Sequence, residues 1–225
     1  MKTPFTVSTA VIVIQAILAT GCSGTSDTAV SQTAAPSDKE IRAAAERDCP
    51  AFLARIPEGA EAAYGFDSHD ELEKAKLGRP FRVIAAQINP GTDRVETLRP
   101  LDEWRVPVVV DGSARALLTV VLKNGKLRAT DFGAAVLSRT LERLENSLAI
   151  SDETPRSLVR AFALRQDFLS VGTTAESARF YPAEFPKAAI ETTDIPTKFS
   201  APPSALTRAQ VFEQIRAHRK AAVHE

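Results

Sequence analysis

Between Val106 and Phe132 the chain reads VPVVVDGSARALLTVVLKNGKLRATDF, and this stretch decides the fold. Two dipeptides, Asp111-Gly112 and Asn124-Gly125, cut it into three runs rich in β-branched and aliphatic residues. A two-residue hairpin loop needs positive φ at both central positions, which Asn, Asp and Gly adopt most readily. The spacing therefore predicts strands over Val106–Val110, Ala114–Leu122 and Lys126–Phe132, joined as an antiparallel meander. Asp111 and Asn124 are turn residues on this reading, not catalytic ones. Upstream, Phe81–Ile88 reads as a further strand.

The flanking segments change period. Over 134–149, Leu137, Leu141, Leu144 and Leu148 recur every three or four residues, while Arg139, Glu142, Arg143 and Glu145 fill the other side. This predicts a helix whose apolar stripe packs on the meander. Residues 38–48 predict a helix capped by Asp38 and stopped by Pro50. Ser68-His69-Asp70-Glu71 has the spacing of a capping box, opening a helix that carries Leu72 and Leu77, leaves left-handed at Gly78 and ends at Pro80. Residues 157–171, with Phe162, Leu164 and Phe168 alternating, fit a strand better than a helix. A turn follows near Gly172–Glu176, then a short strand through Phe180 and Tyr181. Five prolines between Pro182 and Pro203 predict an extended loop over the body. Thr207 with Gln210 opens a last helix bearing Val211, Phe212 and Ile215. Helices, strands, a helix, strands and a helix, without regular β-α alternation, make an α+β domain with an antiparallel sheet. One such domain is expected over 38–225.

The N-terminus speaks to location. Lys2 is the only charge before an apolar run from Ala10 to Ala19, interrupted by Gln15. Ten residues make a helix of roughly 15 Å, whereas a bilayer span needs about 20 apolar residues. Residues 1–21 therefore read as a signal peptide. Leu18-Ala19-Thr20-Gly21-Cys22 resembles the lipobox of bacterial lipoproteins. The resemblance implies lipid on the Cys22 sulfur, cleavage before Cys22, and acylation of the freed amine. It departs at Ala19, where the family usually has Leu, with Leu18 one step further back. Ser23, in place of the Asp that retains such proteins in the inner membrane, favours delivery to the outer membrane where the source has one. Residues 22–37 are then the lipidated cysteine and a flexible Ser/Thr/Ala/Gly tether.

A second likeness lies in the body. Leu72-Glu73-Lys74-Ala75-Lys76-Leu77-Gly78-Arg79-Pro80-Phe81, Trp104-Arg105-Val106-Pro107-Val108 and Ala116–Val120 look like a group of uncharacterised bacterial lipoproteins. The shared motifs are structural and imply no substrate.

Composition narrows the partners. With 28 basic and 28 acidic residues, the chain lacks the footprint of a nucleic-acid binder or a polybasic membrane patch. Membrane contact is expected through lipid on Cys22. Of the two cysteines, Cys49 is then a lone thiol, best read as a small buried hydrophobe.

Chemical signatures are sparse. His69, His218 and His224 have no metal-binding spacing, and the residues around Cys49 match no Cys-His hydrolase signature. No nucleophile elbow or phosphate loop is present in the sequence. No cofactor or metal is expected. The candidate binding surface is Trp104, the only tryptophan, with Arg105, Arg115 and Arg128 on or beside the meander strands. The bland alternative packs Trp104 at the edge of the core and makes the arginines the polar side of half-buried strands. The favoured reading is a lipid-anchored, non-catalytic module that binds a protein or polymer of the cell envelope. The rivals are a peptidase inhibitor or propeptide-like module using the sheet edge, and a hydrolase with dispersed carboxylates such as Asp102 and Asp131.

Overall fold

The computed structural model describes residues 35–88, 96–174, 176–183 and 204–222. The chain divides into two units, Met1–Ala35 and Pro36–Glu225, and all described residues except Ala35 belong to the second. The expected signal peptide, Cys22, the expected tether as far as Ala34, the expected loop over 184–203 and His224 lie outside the described residues.

The fold is α+β, and the meander is its centre. Strands β2 (Phe81–Ile88), β3 (Glu96–Val110), β4 (Ser113–Lys123) and β5 (Lys126–Gly133) pair antiparallel in sequence order. Both expected turns form, with φ of 49° at Asp111, 82° at Gly112, 53° at Asn124 and 71° at Gly125. The meander has four strands where three were expected, because β3 begins ten residues before Val106. Its first half pairs with β2, from Ile88↔Glu96 to Ile84↔Pro100. Pro100 and the charged Arg99, Asp102 and Glu103 break the alternation that would have marked it. A bulge sits here too: between Ile84↔Pro100 and Arg82↔Trp104, β3 holds two more residues than β2.

Helix α1 (Asp38–Leu53) differs from expectation at both ends. Ser37, not Asp38, is the cap: its amide donates to Glu40 Oε2 (2.8 Å) and its Oγ accepts from the Glu40 amide (3.3 Å). The helix runs through Pro50, which only costs the exposed Glu46 carbonyl its partner. The stripe Ile41, Ala44, Ala45 and Cys49 is buried on the sheet and carries the helix past the proline. The Ser68–Glu71 capping box does not form. Helix α2 is one turn (Asp70–Glu73) with no side-chain cap, because the Glu71 carboxylate accepts instead from the Asp67 amide (2.8 Å) and from Arg115 (2.5 Å). Leu77 is not helical: β1 (Lys76–Leu77) pairs with the end of β3. Gly78 does not exit left-handed. It lies against Pro107, donating its amide to that carbonyl (2.8 Å).

After β5, α3 (Ala135–Ser147) forms as expected. The segment expected as one strand over 157–171 is a hairpin, β6 (Arg156–Ala161) and β7 (Gln166–Val171). A 3-10 turn over Phe162–Leu164 joins them, with Arg165 left-handed at φ 51°. No Gly or Asn advertises this turn. β8 (Arg179–Pro182) and α4 (Arg208–Ala222) follow, and Thr207 with Gln210 forms the expected reciprocal cap.

The sheet order is β5-β4-β3-β2-β6-β7-β8, with β1 paired to β3. All pairs are antiparallel except β2 with β6, which is parallel. Both faces are covered. On one, α3 packs Leu137, Leu141 and Leu144 against Phe81, Val83, Leu117, Leu158 and Leu169. Each leucine contributes about 1.5–3 kcal/mol of burial. On the other face α1 covers Trp104, Val106, Val108, Ala116, Leu118 and Val120. Further along, α4 covers Ala86, Val159, Phe168 and Phe180. Trp104 is the register partner of Arg82, and Ile84 and Ala86 follow Arg82 at alternate positions of β2, so α1 and α4 lie on the same face.

Candidate functional site

The expected binding surface does not assemble. Trp104 is 3% exposed and belongs to the core under α1. Arg105, its neighbour in the strand, points to the opposite face. It donates to Thr119 Oγ1 (2.5 Å) and pairs with Glu103 (2.8 Å). Arg115 is the extra residue where the β3–β4 register shifts, and it clamps Asp67 (2.8 Å) and Glu71 (2.5 Å). Only Arg128, with 60% of its side chain exposed, is open, and Asp48 lies 3.9 Å from it. Three of the four residues are thus held by the fold, on different faces.

The groups a catalyst would use are not brought together among the described residues. Cys49 is 6% exposed, and burial pushes its thiol up to about 11. Such a thiol is a poor nucleophile at neutral pH. It lies beside a cleft of about 390 Å³ between α1 and β1, lined also by Arg42, Glu46, Leu53 and Lys76. His69 Nδ1 is bonded to Glu61 Oε1 at 2.8 Å, tying the start of α2 to the preceding 3-10 turn. Glu61 is held below the usual carboxylate range, first by its own backbone amide and then by His69. His218 is exposed on α4. Asp131 is the register partner of Thr119, Asp102 lies in the bulge of β3, and no hydrogen bond or ion pair joins the two. Among the described residues, no group of three His, Cys, Asp or Glu side chains could hold a metal ion.

Both outer strands of the sheet are partly occupied. At β5, Asp48 accepts from the Ala129 amide (2.9 Å), and Arg47 donates to the Leu127 carbonyl (2.9 Å). Arg47 also pairs with Asp48 (2.7 Å), the first cause of the depressed Asp48 pKa. At β8, Phe180 exchanges both backbone hydrogen bonds with Leu206, at 2.9 and 2.8 Å. Unpaired edge groups are what strand addition requires.

One half-buried arginine stands apart. Most others have an anionic partner: Arg79 with Asp38, Arg105 with Glu103, Arg156 with Glu145, Arg160 with Asp167. Arg82, in β2, has none among the described residues. Its guanidinium carbon sits 5.9 Å from the centre of the Trp104 ring, and its buried Nε has no acceptor. The register sets Trp104, Arg82, Ser157 and Ser170 in one row across four strands, on the face shared by α1 and α4. The Ser157 and Ser170 hydroxyls likewise form no hydrogen bond among the described residues. The sequence reading missed this row. Arg82 looked like the polar side of an ordinary strand, and nothing local announced that β6 would lie parallel beside it.

Compared with protein-family models, with curated proteins and with solved structures, the chain matches none.

Proposed function

We propose that this chain is a bacterial lipoprotein, held at a membrane through lipid on Cys22, whose folded body binds a partner in the cell envelope and catalyses no reaction. The observation that carries the anchor is the run Leu18–Cys22 at the end of a ten-residue apolar segment too short to span a bilayer. No helix among the described residues is long and apolar enough to cross a membrane. Ser23 favours the outer membrane where the source has one. The non-catalytic reading is supported by how the reactive side chains are used: Cys49 is buried, and His69 is bonded to Glu61. Binding by strand addition is disfavoured where α1 and the Leu206 segment already take outer hydrogen-bonding groups, at Leu127 and Ala129 of β5 and at Phe180 of β8. A side-chain surface is the better candidate, and the row around Arg82 joins an arginine that has no anionic partner among the described residues to two serine hydroxyls.

Cys22→Ser tests the anchor. The variant is expected in the soluble fraction, and mass spectrometry of the wild-type N-terminal peptide should show diacylglyceryl cysteine. Membrane retention of the variant, or a free thiol at Cys22, overturns the reading.

A further inference from the structure

We propose that the row Arg82, Ser157 and Ser170 is a binding site for the phosphoryl group of an ester. This assignment rests on the binding reading above and names its ligand. Arg82 is half-buried, and its Nε is withdrawn from water without an acceptor, which is unfavourable. The Trp104 ring lies against one side of Arg82, 5.9 Å from the guanidinium carbon. On the other side along the row come Ser157 and Ser170, one strand and two strands away at about 4.8 Å per strand. All three side chains donate, and no carboxylate is hydrogen-bonded or ion-paired to any of them among the described residues. A phosphoryl group offers several acceptor oxygens, and arginine's planar fork suits it. A carboxylate, with two oxygens in one plane, would leave part of the row unused. Arg82 and Ser157 meet the phosphoryl oxygens, and Ser170 meets the side that carries the rest of the ester.

Trp104 is the only tryptophan, so its emission reports the site directly. The full chain in nonionic micelles is titrated with inorganic phosphate and with glycerol 3-phosphate at constant ionic strength. In a parallel series the micelles are doped with phosphatidylglycerol. A saturating change in Trp104 emission is expected. Arg82→Gln should weaken it roughly ten- to a hundred-fold, the worth of a charge-assisted hydrogen bond. Arg128→Gln should leave it unchanged. Saturation by the small phosphates indicates a soluble ligand, saturation by the doped micelles alone indicates a lipid headgroup, and both support the site. Should Arg82→Gln fail to fold, Ser157→Ala with Ser170→Ala, which removes only hydroxyls, is expected to weaken binding several-fold. A response that chloride reproduces, or one that survives these substitutions unchanged, overturns the assignment. Membrane release of Cys22→Ser is indifferent to this result, so the anchor and the ligand stand or fall separately.

Discussion

The two cysteines give opposite chemical predictions that one alkylation experiment reads together. Burial moves the Cys49 thiol from an ordinary 9.0 to about 11, two pH units. At pH 8 its thiolate fraction is therefore about 100-fold below that of an unperturbed thiol, and only the thiolate reacts. With 6% exposure, access to the sulfur is restricted as well. A higher-pKa thiolate is the stronger nucleophile and offsets part of this, so iodoacetamide at pH 8 should label Cys49 in the folded chain at least ~10-fold more slowly than a small thiol. In denaturant it should label at the ordinary rate. Cys22, if its sulfur is in a thioether to lipid, should label in neither state. Mass spectrometry then counts no modification on the folded chain and one on the unfolded chain. Rapid labelling of Cys49 in the folded state would refute the packing of α1 on the sheet. A second label after denaturation would refute lipidation.

Other tests address the fold. Arg156 and Glu145 form a largely buried pair between β6 and α3, and burial pushes the Glu145 carboxyl up and the Arg156 guanidinium down. Removing one partner, as in Glu145→Ala, should cost about 3–5 kcal/mol in urea unfolding. The double change Glu145→Leu with Arg156→Met should recover most of it, and equal losses would contradict the buried-pair account. Asp48 is held below its ordinary pKa by Arg47 first and, against the opposing effect of burial, also by the Ala129 amide. A lowered carboxylate pKa gives stability that is complete above the unfolded value and is lost as pH falls through the folded one. The unfolding midpoint should therefore drop below about pH 4, less steeply in Asp48→Asn. A slope unaltered by Asp48→Asn would assign the acid sensitivity elsewhere. Gly65 has φ 93°, and a Cβ there would run into the Arg115 carbonyl and Ala135. Gly65→Ala should cost about 2 kcal/mol or more, while Gly59→Ala, with positive φ but open space, should cost less.

The sequence was most legible where a local rule acts alone. Asp111-Gly112 and Asn124-Gly125 demand positive φ whatever surrounds them, and the leucines of α3 repeat at the helical period within thirteen residues. It was least legible where distant partners compete with a local rule. Glu71 leaves its capping role because Arg115, 44 residues away, offers a charge partner. The helix expected to carry Leu77 gives way because the backbone there joins β3. Pro50 fails to end α1 because the apolar stripe beneath the helix outweighs one lost hydrogen bond. The break between β6 and β7 uses Arg165 in a left-handed conformation that no turn-forming residue advertises.

The candidate site divides in the same way. Residue type and spacing alone give the likeness of Leu18–Cys22 to a lipobox and the hairpin turns, because each depends on neighbours within a few positions. That Trp104 is buried, that Arg105 faces away from it, and that Arg82 lies in line with Ser157 and Ser170 depend on the register between strands up to 75 residues apart. Register follows from which apolar faces are buried, and that is decided only when the helices close over both sides of the sheet.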